Sequence, residues 1–239
     1  MLLDILVFAA HPDDAELAMG GTIAKLAHNG VKVGVIDLTQ GEMGTRGSVE
    51  ERRQEADRAS EILMLSTRTN LKLPDGKIDL NDNYVLKIVE QMRLHKPKLV
   101  FAPYFNDRHP DHIGTSQIVK KAVFVSGLKK IDTYHNKTKQ EPHRPNKIFY
   151  FMQTYEFDPT FIVDISDHYQ TKVESIKAYE TQFYNPESKE PETFISSPQF
   201  TQYLEARAKF FGFQIRKDYG EPFFCEEKIE LDIASILNK

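Results

Sequence analysis

Apolar residues along this chain fall into short, nearly unbroken runs, separated by longer stretches in which they recur every three or four positions. The runs are "DILVFAA" (4–10), "VKVGVIDLT" (31–39), "TNLKLPD" (69–75), "PKLVFAPY" (97–104), "KIFYFMQT" (147–154) and "FIVDIS" (161–166). Their β-branched, near-continuous hydrophobic character predicts strands buried on both faces. The stretches between them predict helices over 14–30, 48–65, 81–95, 111–127, 167–183 and 197–212. In the first, Leu17, Ile23, Leu26 and Ala27 lie near one face and Asn29-Gly30 supplies a stop signal. In the second, Ser48 followed three residues later by Glu51 has the spacing of a capping box.

Strands and helices that alternate in this way predict an α/β fold, because each right-handed crossover between parallel strands needs a helix to return the chain. The expectation is a Rossmann-like, mainly parallel sheet with helices on both faces, a single domain spanning 1–239. No internal repeat, low-complexity tract or linker interrupts it. The stretches 131–146 and 184–198 read as polar loops, and loops of that length often serve as lids or oligomer contacts.

Charge narrows the function classes. With 31 Lys+Arg against 35 Asp+Glu the formal net charge is -4, and no block of like charge occurs, so neither nucleic acid nor an anionic membrane is an expected partner. The lone cysteine, Cys225, excludes an internal disulfide and a CxxC pair and reads as a structural thiol. The N-terminal stretch has no basic leader and is interrupted by Asp4, which argues against a signal peptide or membrane span and makes a cytoplasmic enzyme the expectation.

Two of the buried strands end in charge. "HPDDAE" (11–16) follows the first, and "NDRHPDH" (106–112) follows the fourth. Ligands of such sheets bind beyond the carboxyl ends of the strands, so the two loops meet if their strands are neighbours. His11 and Asp14 are spaced i, i+3 around Pro12, and His109 and His112 are spaced i, i+3 around Pro110. Two imidazoles and a carboxylate with a position left for water form the donor set of a catalytic zinc site. Of the adjacent aspartates, one would bind metal and the other touch the water. N-capping of the first helix is the competing structural role for Asp14. The first turn has no GxGxxG, and Gly20-Gly21 come too late to cradle a phosphate, which points to close helix packing instead. No GxSxG, Walker A or HExxH sequence occurs.

The paired motifs "AHPDDAE" and "HPDH", with "GEMGTRGSVEERRQEA" (41–56) and "PYFNDRHPDHIGTSQIV" (103–119), resemble the zinc-dependent N-acetylglucosaminyl deacetylases of the PIG-L/LmbE type. Within that family the chain is most similar to the deacetylases of bacillithiol biosynthesis, whose substrate is N-acetylglucosaminyl-malate. The resemblance implies His11, Asp14 and His112 as ligands of Zn2+, and by ligand softness the same set also accepts Fe2+. It implies Asp13 as general base, and His109, with Asp111 beside it, as the group that stabilises the oxyanion or protonates the amine. It implies Arg52, with Arg53 the neighbouring candidate, as a contact to the sugar of a small-molecule N-acetylglucosaminyl conjugate, while Asp107 and Arg108, immediately before "HPDH", are placed to grip sugar hydroxyls or an acidic aglycone. A tyrosine that some relatives carry late in the chain falls on Phe200, with Tyr203 nearby. A homo-oligomer, of which a hexamer is one form, is the implied assembly. Two rivals come from other classes. A two-metal phosphoesterase is disfavoured by the lack of surplus acidic ligands, and a non-enzymatic metal-binding protein by the presence of every catalytic position.

Overall fold

The computed structural model describes residues 1–230; the end of the expected 1–239 domain, 231–239, lies outside the described residues. Nine strands and six α-helices follow one another among them. The strands are β1 (Ile5–Ala9), β2 (Val33–Thr39), β3 (Thr67–Leu73), β4 (Leu99–Pro103), β5 (Tyr134–His135), β6 (Thr138–Lys139), β7 (Lys147–Phe151), β8 (Phe161–Asp164) and β9 (Gly220–Phe224). The helices are α1 (Asp14–His28), α2 (Val49–Ile62), α3 (Asp82–His95), α4 (Pro110–Ser126), α5 (Tyr169–Lys177) and α6 (Pro198–Gln214).

Seven strands form one sheet in the order β3-β2-β1-β4-β7-β9-β8. The first five pair in parallel, and β9 pairs antiparallel with both β7 and β8. The expected α/β, Rossmann-like architecture is therefore present. Chain order runs outward from β1 to β2 and β3 on one side, and to β4 and β7 on the other. The strand order thus reverses between β1 and β4, and a crevice opens at their carboxyl ends, the usual ligand position in such sheets.

Side chains alternate across β1, and each face buries a different layer. Leu6 and Phe8 pack with Val85, Ile88, Val89 and Met92 of α3 and with Ile118 and Val119 of α4. Ile5, Val7 and Ala9 pack with Ala15, Ala18 and Ile23 of α1. Full burial of a side chain such as Phe8 contributes roughly 1.5–3 kcal/mol, so β1 is held rigidly from both faces. The charged loop that follows it starts from a fixed point.

The elements depart from expectation in four places. α1 is broken at Met19, whose φ of -141° and ψ of 22° are not helical. The glycines that follow allow close packing, since a Cβ on Gly21 would sit 2.7 Å from Ile165 Cδ1. The segment 131–146 contains the small β5–β6 hairpin. α5 ends six residues early because Tyr179 turns inward, fully buried, to reach Glu16. Finally, β9 was not expected at all: it opens with a glycine and carries Pro222, which lies beyond the two positions where β9 pairs with β7. Cys225 is buried with its Sγ 3.7 Å from the Ile148 carbonyl, in keeping with a structural thiol. Among the described residues no helix is long and apolar enough to cross a membrane.

Candidate active site

The loops after all five parallel strands line one cavity of about 650 Å³. β1 supplies His11, Asp13 and Asp14; β2 supplies Met43 and Thr45; β3 supplies Asp75; β4 supplies Arg108, His109 and His112; β7 supplies Gln153 and Thr154. Because β1 and β4 pair directly, the two His-Pro-Asp loops meet, as the sequence required of neighbouring strands.

Asp14 stands between two imidazoles. Its Oδ2 is 3.4 Å from His11 Nδ1 and its Oδ1 is 3.2 Å from His112 Nε2. Donors bonded at 2.0–2.1 Å to a tetrahedral divalent ion lie about 3.3 Å apart, and each ring stands at about that separation from a different oxygen of Asp14. The far nitrogen of each ring is held by a carboxylate: His11 Nε2 by Asp75 Oδ1 at 3.0 Å, and His112 Nδ1 by Asp107 Oδ1 at 2.8 Å. Such partners fix ring orientation and raise ligand basicity at metal sites. The residues present therefore fit a divalent metal. Burial alone would raise the Asp14 carboxyl, but the His112 and His11 imidazoles outweigh it and hold the group well below the usual carboxylate range. A carboxyl so held is ionised.

Asp14 is the first residue inside α1, and the N-cap position belongs to Asp13, which makes no side-chain capping bond. The backbone of Asp13 has φ +122°, a conformation that costs a non-glycine residue roughly 1–3 kcal/mol and is characteristic of functional sites. Arg52 braces this corner, with Nη1 3.1 Å from the Pro12 carbonyl and 3.3 Å from Asp13 Oδ2. Gly41, at φ +68°, leaves room for that guanidinium, because a Cβ there would lie 2.8 Å from Arg52 Nη1. Burial pushes the Asp13 carboxyl up to about 7 against the opposing pull of Arg52. A carboxyl group poised there can accept a proton near neutrality.

His109 closes the cluster, with its ring centroid 4.8 Å from that of His11 and 5.0 Å from that of His112. One nitrogen from each of the three rings lies within 4.8 Å of the others, so His109 is also within reach of an ion. Unlike its neighbours it has no carboxylate behind it. Instead its Nδ1 accepts the amide of Asp111 at 3.2 Å, which leaves Nε2 as the protonated nitrogen of the neutral ring. Burial and the neighbouring imidazoles push its pKa down, favouring that neutral form.

Three expectations are corrected, the substrate contacts Arg53 and Asp107 and the catalytic Asp111. Arg53 points away from the cavity into ion pairs with Glu50 and Asp57, its side chain 59% exposed against 8% for Arg52. The two arginines are neighbours in sequence and so face different sides of α2. Asp107 is not among the residues lining the cavity: besides His112 it accepts the amides of His109 and Thr154, and these bonds hold its carboxyl down at about 2 against the effect of burial. Asp111 is likewise turned away, its two oxygens accepting the amides of Gly76 and Ile78, with Oδ2 3.5 Å from His11 Nε2. Arg108 does line the cavity, its Cζ 4.6 Å above the Phe194 ring.

Acidic groups are more abundant here than the sequence suggested, since His11, Asp75 and Asp111 form a second cluster. Its carboxylates are largely committed to backbone amides, Asp75 Oδ2 taking that of Met43. Asp75 is the principal residue the sequence reading missed, lying in the loop after β3 outside any motif. Glu16 is fully buried and paired with Arg68, which also grips Asp37 in bidentate fashion, so its role is to anchor α1. The stretch 193–207 forms one wall of the cavity, with Phe194, Ile195, Phe200 and Tyr203 all lining it.

Known proteins resemble the chain in this same region. Residues 6–123 match the family described as PIG-L, GlcNAc-PI de-N-acetylase. The diacetylchitobiose deacetylase of Thermococcus kodakarensis is 30% identical over 191 residues, covering 75% of this chain and 70% of that protein. A probable N-acetyl-α-D-glucosaminyl L-malate deacetylase 2 of Bacillus anthracis is 25% identical over 196 residues, 75% of this chain and 81% of the other. Among solved structures, the conserved protein TT1542 of Thermus thermophilus superposes with a TM-score of 0.87 at 35% identity, covering 97% of this chain and 98% of that one. Joined by two His-Pro-Asp loops around one cavity, the chain belongs to the PIG-L (LmbE-type) family of deacetylases and is a metal-dependent amide hydrolase of that family.

Proposed function

We propose that this protein removes the acetyl group from an N-acetylglucosaminyl conjugate, with zinc as the resident ion and N-acetylglucosaminyl-malate as the substrate, a step of bacillithiol biosynthesis. One observation carries the reading: Asp14 lies between His11 and His112, while its neighbour Asp13 stays outside that donor set and lines the cavity. Binding and proton transfer are thereby divided between adjacent carboxylates. The likeness to the Bacillus anthracis relative and the cationic Arg108 at the cavity wall support an acidic aglycone.

His11, Asp14 and His112 would hold the ion, which supplies Lewis-acid activation of a water and of the acetyl carbonyl. Asp13 accepts the proton that water loses as its oxygen bonds to the carbonyl carbon. The neutral His109, with its proton on Nε2, donates to the oxygen that becomes negative, a contact of a kind worth roughly 3 kcal/mol. The carbon–nitrogen bond then breaks, and Asp13, protonated by the first step, supplies the amine with the proton it needs to leave. Acetate and a free amino sugar result, with Asp13 returned to its ionised form. A soluble homo-oligomer acting in the cytoplasm is part of the same proposal.

The test is acetate release from N-acetylglucosaminyl-malate, diacetylchitobiose and free N-acetylglucosamine, with metal content measured on the same sample. The expected result is one zinc per chain and fastest turnover of the malate conjugate. Equal rates on all three would remove the malate assignment and leave deacetylation standing, and iron in place of zinc would change only the ion. No acetate from any of them would overturn the proposal. Two ions per chain would instead favour phosphoester hydrolysis.

A further inference from the structure

The break in α1 divides the helix that carries Asp14 into a short site segment and a longer remainder. In an unbroken helix the amides of Gly21 and Thr22 would bond to the carbonyls of Leu17 and Ala18. Here both amides donate to one carboxylate, Gly21 to Glu221 Oε1 at 3.0 Å and Thr22 to Glu221 Oε2 at 2.7 Å. Glu221, on β9, is almost fully buried and is paired with the buried side chain of Lys172 on α5. The pair acts as an internal N-cap for the second half of the helix. Gly20 gives the pair room, since a Cβ there would lie a tight 3.2 Å from Lys172 Cγ.

The first half receives a matching cap from α6. Arg207 Nη2 donates to the Leu17 carbonyl at 3.4 Å, and Nη1 donates to the carbonyl of Gln153 in the loop after β7. Gln153 Nε2 in turn donates to the Asp14 carbonyl at 3.3 Å. One guanidinium thus holds both ends of the site segment, Leu17 directly and Asp14 through Gln153. Its Cζ lies 5.4 Å from the centre of the Tyr203 ring, and its side chain is largely buried, which limits its freedom to swing into the cavity. A planar fork of five donors suits two carbonyls on separate elements, and a lysine in its place could reach fewer of them.

We propose that Arg207 is a positioning residue of the reaction: by gripping the Leu17 and Gln153 carbonyls at the break in α1, it sets the Asp14 carboxylate between His11 and His112. This rests on reading those three residues as the donors for the metal. The arrangement needs the break, because a continuous helix would use the Leu17 carbonyl internally. It also gives the unexpected strand β9 a purpose, since Glu221 answers the amides on the other side of the same break.

The experiment titrates metal-free wild type, Arg207→Ala, Arg207→Lys and, as a control on the exposed side of α6, Lys209→Ala with Zn2+ against a chelating dye. Acetate-release kinetics and the thermal midpoint of each metal-free chain are recorded alongside. Groups that orient metal ligands from behind usually contribute 10–100-fold in affinity, so Arg207→Ala is expected to bind Zn2+ about tenfold more weakly. Its kcat should fall by a comparable factor while KM stays within about twofold, with Arg207→Lys intermediate in both and Lys209→Ala like wild type. Unchanged Zn2+ affinity in both Arg207 variants overturns the proposal, even if the thermal midpoint drops, because a purely structural role predicts that pattern. A raised KM with kcat and Zn2+ affinity intact also overturns it and makes Arg207 a substrate contact. Should Arg207→Ala fail to fold, wild-type behaviour of Arg207→Lys in the Zn2+ titration is the overturning result, and weakened binding the supporting one. If wild type released no acetate from any N-acetyl sugar, the deacetylase reading would fail, and the Zn2+ titration would still decide the role of Arg207.

Discussion

Asp107 holds His112 from behind, Oδ1 to Nδ1 at 2.8 Å, and the same carboxylate ties down the loop that carries the ring through the amides of His109 and Thr154. The sequence places Asp107 next to "RHPDH", where it resembles a group reaching for substrate. The structure makes it a brace. Asp107→Ala is therefore expected to weaken Zn2+ binding by about 10–100-fold. Saturating metal should recover part of the activity, and KM should change little. Equilibrium dialysis of the variant measures the first effect, and a rate against added Zn2+ measures the second. A large rise in KM with unaltered metal affinity would return Asp107 to the substrate side of the site.

Asp13 and Asp14 invite a sharper contrast. Asp14 lies within 3.4 Å of both candidate ligand rings, whereas the nearest cation to Asp13 is Arg52. Asp13→Asn should keep its bound metal and lose activity by about 10²–10⁴-fold, the usual contribution of a general base. Asp14→Asn should lose metal as well. Metal analysis on both purified variants, next to their acetate-release rates, separates the two roles. Equal metal loss in Asp13→Asn would place that carboxylate among the ligands.

How far the sequence could reveal the site depended on whether contacts were local. His11, Asp14, His109 and His112 were legible because each pair sits three residues apart in a loop leaving a recognisable buried strand, and the neighbouring strands bring the loops together. Arg53 was misplaced for the same local reason: residue spacing identified α2 but not which of two adjacent arginines faced inward. Asp75, Gln153 and Arg207 could not be found that way. Each meets the site through a contact spanning more than fifty positions of the chain, such as Asp75 with His11 or Arg207 with Gln153, and none lies in a motif. β9 escaped because its glycine and proline argue against a strand, and the pairing that overrides them comes from β7 and β8. The break in α1 was invisible because the glycine pair is equally compatible with an unbroken helix packed closely on its neighbours.

The two arginines of α2 supply a built-in control. Arg52 is buried and bonded to the Pro12 carbonyl and Asp13, so Arg52→Ala should reduce kcat/KM by at least about tenfold through loss of the brace on a strained corner. Arg53 sits in exposed ion pairs on the far side of the same helix, and such pairs contribute about 0–1 kcal/mol. Arg53→Ala should leave kcat/KM within about twofold of wild type. Comparing the two variants in one assay tests the helix orientation as well as the chemistry, and a reversed order of effects would contradict both.

Gly114 tests how closely the support of His11 depends on the seating of the turn after β3 against α4. A Cβ at this position would lie 1.9 Å from the Ile78 carbonyl oxygen, an overlap with backbone that no side-chain rotation relieves. The amide of that same Ile78 donates to Asp111 Oδ1, and the amide of Gly76 to Oδ2, so the 76–78 turn is clasped between Gly114 and Asp111. Gly114→Ala must push the turn away from α4. The expected cost is about 3 kcal/mol of stability, read as a lowered midpoint in chemical denaturation. Movement of the turn also shifts Asp75, one residue before it, away from His11 Nε2 and so weakens the support of that ring. Folded Gly114→Ala should consequently bind Zn2+ less tightly than wild type. A variant that is destabilised yet binds Zn2+ normally would show that the turn can move without disturbing His11.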